Sequence, residues 1–458
     1  MRRFTGLSLL FVLAAGASAA AQEDFRYRAG TAKVKITPEE PGYLLAYDQH
    51  QKAEGVESEL WTRALALEDA DGQIVVLVSA DILGFNPSLA RAIRQDAQKR
   101  FGLKDGQLLL AASHTHNGPV LPENPSLEIY HNFTDEEAKV IHAYAEVLRA
   151  HVLDAVGKAL GELRPARLSW GRGQATFGAN RRRSLNPNGP TDPDVPILSV
   201  DSPDGRPIAV VFSYACHLTT VMASHFVKYS ADYAGVAAEE LERKRPGGTA
   251  LFIAGCGGDI NPDPMGKIEY VRLHGRTLAE EVERVLARRE GLRPLRGPLS
   301  ASFREIELPL DKPPPRELLE RLRDHKSAEQ RRHAQAMLRA IEKGDLPSAV
   351  PYPILVWRFG SDLTLVGLSG EVCVDYALRL KRELGSERTW IAGYANQVPC
   401  YIPSDRVLAE GGYEAGWGAS LGRAVASGSM SRYGWPVPFA PGLEDRIVKA
   451  TRELAQAR

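Results

Sequence analysis

The chain has 458 residues, 44% of them hydrophobic, and its 57 lysines and arginines balance 57 aspartates and glutamates. That hydrophobic share can bury a large core, while a formal charge of zero excludes a general electrostatic pull toward nucleic acid or anionic membrane. Only local basic runs such as Arg181, Arg182 and Arg183 remain as anion sites.

In chain order, Arg2 and Arg3 precede an apolar run over residues 7–15 and then Ala17, Ser18, Ala19, Ala20 and Ala21. This charged, apolar, small-residue order predicts a secretory signal over residues 1–21, an exported protein and a mature chain beginning at Gln22. No later stretch approaches the ~18 consecutive apolar residues of a membrane span.

Strand-like and helical segments then alternate, which predicts an α/β fold: a mixed β-sheet core with flanking helices, and a site at the C-terminal ends of strands. Residues 74–85 read as a buried strand entering a loop at Asp81, and residues 87–102 as a helix opened by proline and closed by glycine. Residues 108–112 form the next strand. Thr134 opens a capping pattern for a long amphipathic helix ending before Pro165, with His142 and His151 on its surface.

Residues 171–196, rich in Gly, Asn and Pro, read as a loop. A strand leading to His217 follows, then a helix near residues 234–245 and a strand running into "CGGDINPDP", where Gly258 frees the backbone for close approach to a ligand. Residues 311–346 are polar and proline-led, an excursion of two surface helices within a single domain spanning residues 22–458. A hairpin turning at residues 360–362 delivers Glu371 to a helix start, and a last helix follows residue 441.

Three strand ends carry candidate chemistry. "LLLAASHTHNGP" places His114 and His116 two apart, on the same face of a strand's end; "IAVVFSYACH" ends at His217, and "LTLVGLSGE" at Glu371. Each residue alone reads as a hydrogen-bonded structural group, and Glu371 as a helix-start carboxylate favoured by the dipole. Together, two histidines and a carboxylate with an open position are what a catalytic Zn²⁺ needs. Four cysteines are too few for a disulfide scaffold, and no CxxC pair supports ligation. Cys216, Cys256, Cys373 and Cys400 are expected as buried thiols or as one or two disulfides bracing the site.

In order along most of the chain, "SHTHNGP", "ANRRRS", "YACHLTTV", "AGCGGDINPDP", "LSGEV" and "NQVPCYIPSDRVLAEGGYE" resemble the neutral or alkaline non-lysosomal ceramidases. The resemblance implies one zinc ion held by His114, His217, Glu371 and an unusual phenolic ligand, Tyr401. It implies that His116 and Tyr413 hold and polarise the scissile carbonyl, and it matches Arg181 to an active-site arginine. Asn261 and Gly258 then line the substrate. On chemical grounds, Glu371 or the neighbouring carboxylate Asp259 is expected to pass a proton to the leaving amine.

Asn261 stands where the family carries a serine that contacts the ceramide head, and an amide cannot act as a nucleophile. The resemblance also covers only the catalytic part, without help from the immunoglobulin-like module that follows it in known members. The expected reaction is zinc-dependent hydrolysis of an N-acyl, lipid-like amide. The alternatives are an N-acyl amino sugar, acyl amino acid or ester as substrate, or a binding protein without turnover on the same scaffold.

Overall fold

A computed structural model describes residues 27–45, 50–123, 125–288 and 291–457, so the expected signal segment lies outside the described residues. The strands are β1 (Tyr27–Lys35), β2 (Trp61–Asp69), β3 (Ile74–Ala80), β4 (Leu108–Ala112), β5 (Arg164–Gln174), β6 (Gly178–Asn180), β7 (Asp194–Asp201), β8 (Pro207–Tyr214) and β9 (Thr249–Ala254). They continue as β10 (Ile260–Pro262), β11 (Arg293–Pro294), β12 (Leu299–Pro309), β13 (Ala349–Phe359), β14 (Leu363–Leu368), β15 (Glu371–Val372), β16 (Thr389–Ala392) and β17 (Tyr401–Ile402).

The helices used below are α1 (Pro87–Phe101), α2 (Asp135–Gly161), α3 (Asp232–Lys244), α4 (Ile268–Arg288), α5 (Arg316–Leu322), α6 (Ala328–Lys343), α7 (Val374–Leu384), α8 (Asp405–Glu410), α9 (Ser429–Arg432) and α10 (Leu443–Gln456).

The larger sheet runs β4-β3-β2-β1-β5-β7-β8-β9, with β11 added to β5. The smaller runs β12-β13-β14-β16. Most neighbours are antiparallel, but β3–β4, β8–β9 and β14–β16 are parallel, so both sheets are mixed.

The period of two along each strand explains the layering. In β3, Val76 and Val78 pack with Ile93 of α1 and Leu148 and Val152 of α2. Val75 and Leu77, facing the other way, share a core with Leu355, Trp357 and Leu365 of the smaller sheet. On that sheet's far face, Ile354 and Val356 join Tyr376 and Leu380 of α7 and Ile447 of α10. The other half of the larger sheet is covered by α3 and α4 through Leu241 and Val282. The result is helices, sheet, sheet, helices, an α/β architecture in which strands such as β3, β4, β8, β9 and β14 are buried on both faces. This is why the strands read as continuous apolar runs, each large side chain contributing about 1.5–3 kcal/mol.

Local signals act where expected. Thr134 Oγ1 accepts from the Glu137 N–H while the Glu137 carboxylate accepts from the Thr134 N–H, opening α2. Residues 171–196 are more ordered than a Gly/Asn/Pro loop: they hold the end of β5, all of β6 and the start of β7. The glycines there serve packing, since a Cβ on Gly178 would meet the Tyr214 hydroxyl at 2.8 Å. Within residues 311–346, α5 and α6 form a small apolar cluster of their own with Ile129 and Val425.

Candidate functional site

The strand ends converge between the two sheets. His114 follows β4 by two residues, His217 follows β8 by three, and Glu371 opens β15 just after β14. Hydrogen bonds between these segments lock the meeting point. His116 N–H donates to Leu218 O (3.2 Å), His217 N–H to Ile260 O (2.9 Å) and Glu371 N–H to Cys400 O (2.9 Å). Glu371 also pairs in parallel register with Tyr401 across β15 and β17.

The two histidines of the HTH run come together by a different route from strand alternation. β4 ends at Ala112, and His114 takes a left-handed conformation, φ 67°. Tyr394, whose ring lies 4.3 Å from the His114 ring, is also left-handed, φ 51°. Such backbone costs about 1–3 kcal/mol for a non-glycine residue and persists where its surroundings enforce it, most often at functional sites. Here it turns both imidazoles inward, with their Nε2 atoms 3.3 Å apart.

The tautomers follow from the acceptors. His114 Nδ1 lies 2.6 Å from Leu83 O and His217 Nδ1 lies 2.6 Å from Gly257 O. A carbonyl can only accept, so both Nδ1 atoms carry hydrogen, and in a neutral imidazole the Nε2 atom then presents a lone pair. Those lone pairs face Glu371 Oε2 at 3.0 and 3.1 Å, and His217 Nε2 also lies 3.1 Å from the Tyr401 hydroxyl. His114, His217 and Glu371 are at most 3% exposed.

Lone pairs aimed at an anionic oxygen in a dry pocket repel unless a cation sits between them. Charging His217 is opposed: burial, then the nearby Arg181, lowers its pKa to about 4. The separations are close to the ~3.3 Å expected between ligand atoms of a tetrahedral ion with bonds near 2.05 Å. The donor set therefore fits a divalent cation, and its borderline nitrogen and oxygen chemistry suits zinc. The His114, His116 and His217 ring nitrogens also lie within 4.8 Å of one another. Among these three, His116 is the partly exposed one. Glu371 Oε2 contacts both buried imidazoles, and His116 lies at the open edge.

Around the cluster, Arg181 donates to the Tyr401 hydroxyl (3.0 Å), the Glu414 carboxylate (2.8 Å) and Asn261 Oδ1 (3.3 Å). Its guanidinium lies 5.4 and 5.7 Å from the Tyr401 and Tyr413 rings. Burial raises the Tyr401 pKa against the pull of Arg181, so its hydroxyl is a neutral phenol in this arrangement. Burial, then the neighbouring histidines, holds the His116 pKa well below the usual range, leaving a neutral imidazole. Tyr413 is pushed up to about 12, chiefly by desolvation, although its side chain is 37% exposed at the rim. His116, Arg181, Asn261, Tyr413 and Tyr433 form the accessible side of the cluster.

The sequence profile of the neutral/alkaline non-lysosomal ceramidase N-terminal region matches residues 27–269. The chain belongs to the neutral/alkaline non-lysosomal ceramidase family. The fold agrees: a neutral ceramidase from Pseudomonas aeruginosa superposes with a TM-score of 0.69 at 20% identity, covering 94% of this chain and 75% of that one. A ceramidase complexed with C2 gives 0.71 at 18% identity, covering 94% and 76%. No curated protein matches the chain in sequence.

Against this family background, the structure brings His114, His116, His217, Glu371, Tyr401, Arg181, Asn261 and Tyr413 into one constellation. Two expected site residues are placed elsewhere. Asp259 is fully buried, its Oδ1 accepting the Val374 N–H at the start of α7 (2.8 Å) and its Oδ2 accepting from Asn180 (2.9 Å). Its carboxylate braces a helix start and is not positioned to carry a proton to a leaving group.

Gly258 faces backbone rather than a ligand. Its N–H donates to Val372 O (2.9 Å), and a Cβ there would lie 2.5 Å from Glu371 O. Gly257 is equally constrained, since its Cβ would lie 2.7 Å from Cys216 N. The glycine loop thus lets one backbone press against both His217 and Glu371. All four cysteines are buried free thiols.

Sequence reasoning missed Tyr433, whose hydroxyl donates to Glu371 Oε1 at 2.6 Å, and Glu414, the shared partner of Arg181 and Arg182. Glu414 adjoins Tyr413 in the "GGYE" run and could have been flagged as a counter-ion. Tyr433 carries no local signal.

Proposed function

We propose that this protein is a zinc-dependent hydrolase of N-acyl amides, with His114, His217, Glu371 and Tyr401 holding the ion. The supporting observation is the pair of imidazole Nε2 atoms facing one carboxylate oxygen at 3.0 and 3.1 Å in a buried pocket. Family membership supports the reaction class. Zinc bound there supplies a Lewis acid and makes water nucleophilic near neutral pH.

The chain's own residues do the rest. His116, neutral and partly exposed, offers its one N–H toward the scissile carbonyl oxygen, and the Tyr413 hydroxyl offers a second donor from the rim. Two such donors stabilise the tetrahedral oxyanion, each worth about 3–4 kcal/mol in well-studied hydrolases. Arg181 holds the Tyr401 oxygen and Asn261 in place. Hydrolysis consumes one water, breaks the C–N bond and releases a carboxylate and an amine.

The substrate we favour is a lipid-like N-acyl compound, as in the relatives named for ceramide hydrolysis. A second reading, a substrate with a small polar or anionic head such as an acyl amino acid or N-acyl amino sugar, is favoured by the rim. There the guanidiniums of Arg181 and Arg432 lie 5.7 and 5.3 Å from the Tyr413 ring. Release of fatty acid from ceramide, acyl amino acids and N-acyl hexosamine, with and without a zinc chelator and zinc add-back, tests both. Zinc-dependent release is the expected result. Ceramide turnover favours the first substrate class and turnover of the others alone the second, while a fully zinc-loaded protein inert on all of them refutes hydrolysis.

A further inference from the structure

We infer that Tyr433 is a positioning residue for the metal-binding carboxylate, and that helix α6 holds it in place although α6 contributes no side chain to the cluster. The inference rests on the proposed metal site and adds to it a structural role for the chain beyond residue 311.

The geometry begins at Glu371. Oε2 faces the His114 and His217 rings, while Oε1 accepts from the Tyr433 hydroxyl at 2.6 Å. A neutral phenol donating to a carboxylate is a strong, charge-assisted hydrogen bond. It occupies Oε1, so Oε2 is the carboxylate oxygen left facing the two imidazoles and would be the one offered to an ion held there. Outer partners of this kind orient metal ligands, and losing one typically costs about 10–100-fold in metal affinity or activity.

Tyr433 lies just past the short helix α9, and the segment around it is fastened to α6. Ser431 Oγ donates to Glu329 Oε1 and Arg432 Nε to Glu329 Oε2, both at 3.1 Å. Gln330 Nε2 donates to Ser431 Oγ (3.4 Å), and His333 Nε2 to Trp435 O (2.8 Å). Residues 431, 432 and 435 are thus tied on both sides of Tyr433. The same segment supports Tyr413, because the Ser429 hydroxyl donates to Tyr413 O at 2.8 Å. One short stretch therefore sets both the carboxylate at the bottom of the site and the phenol at its rim, and α6 clamps that stretch from outside.

The experiment uses the full chain loaded with cobalt(II), whose visible absorption reports coordination number directly. Tyr433→Phe removes one oxygen atom and leaves the ring. It is expected to weaken cobalt and zinc affinity by about 10–100-fold and to shift the cobalt bands toward the weaker absorption of a higher coordination number, as both Glu371 oxygens become free to bind. Glu329→Gln, remote from the ion, is expected to shift the spectrum in the same direction by a smaller amount. A purely structural tyrosine would change thermal stability without moving the spectrum. Wild-type affinity and an unchanged spectrum in Tyr433→Phe overturn this inference alone, whereas a wild-type protein that binds neither metal overturns the metal site and this inference together.

Discussion

Gly258→Ala separates two roles for one atom. The glycine's backbone is not in the left-handed region, so alanine can adopt its conformation, and the added Cβ decides the outcome. That Cβ would lie 2.5 Å from Glu371 O and 2.9 Å from Val372 O, whereas ordinary contact begins at 3.4 Å. The obstacle is backbone on both counts, and no flexible side-chain end can yield. Relief requires about 0.9 Å of movement, the difference between 3.4 and 2.5 Å, in the strand that carries Glu371.

Overpacking of this kind costs about 1–3 kcal/mol of stability, and a misplacement near 1 Å at a catalytic group costs about 100-fold in rate. The expected result is a folded protein with weakened zinc affinity and kcat down about 100-fold on the best substrate of the N-acyl panel, KM changing little. Metal affinity by competition with a chromophoric chelator and steady-state kinetics read this out. If zinc affinity and kcat stay at wild-type values and only KM rises, Gly258 faces substrate, and its role as a spacer for Glu371 is wrong.

His116→Ala and Tyr413→Phe should each retain zinc in equilibrium dialysis while lowering kcat about 10²–10³-fold; loss of zinc from His116→Ala would make that imidazole a ligand. Asn261→Ser removes an acceptor of the Arg181 guanidinium and restores the family residue, so ceramide turnover should rise with metal content unchanged. If ceramide turnover does not rise, head-group preference is set elsewhere on the rim. His333 is buried, and desolvation lowers its pKa to about 4 from the usual ~6.5. Its folded pKa is depressed, so the stability it permits is complete above pH ~6.5 and is lost as pH falls toward 4, about 2 kcal/mol by pH 5. Urea unfolding of the metal-free protein at pH 7 and pH 5 should show a smaller pH effect in His333→Leu; equal effects in both proteins would contradict this.

Much of the site was legible because chemistry-bearing residues stand at the ends of apolar runs. The strand preceding His114, the one preceding His217 and the hairpin preceding Glu371 are buried on both faces, so their hydrophobic runs mark them without any knowledge of pairing. Convergence was not legible. His114 reaches the cluster through a left-handed turn rather than by strand alternation, a conformation that glycine, not histidine, normally signals.

The glycine loop announced close approach without saying to what, and the partner is the Glu371 backbone over a hundred residues away. Asp259 looked like a proton carrier beside the site residues in sequence, yet the fold turns it to the start of α7. Tyr433 reaches Glu371 only because α6 clamps its segment, a tertiary contact with no local pattern.

Metal content tests the proposed ligand set. Purified wild-type protein, His114→Ala, His217→Ala and Glu371→Gln are to be dialysed against zinc buffered at a free concentration near the wild-type dissociation constant and assayed by mass spectrometry of the metal. About one zinc per wild-type chain on saturation, with loss of the ion from each variant, is the expected result. A variant at either histidine that stays folded and binds zinc as tightly as wild type would contradict it.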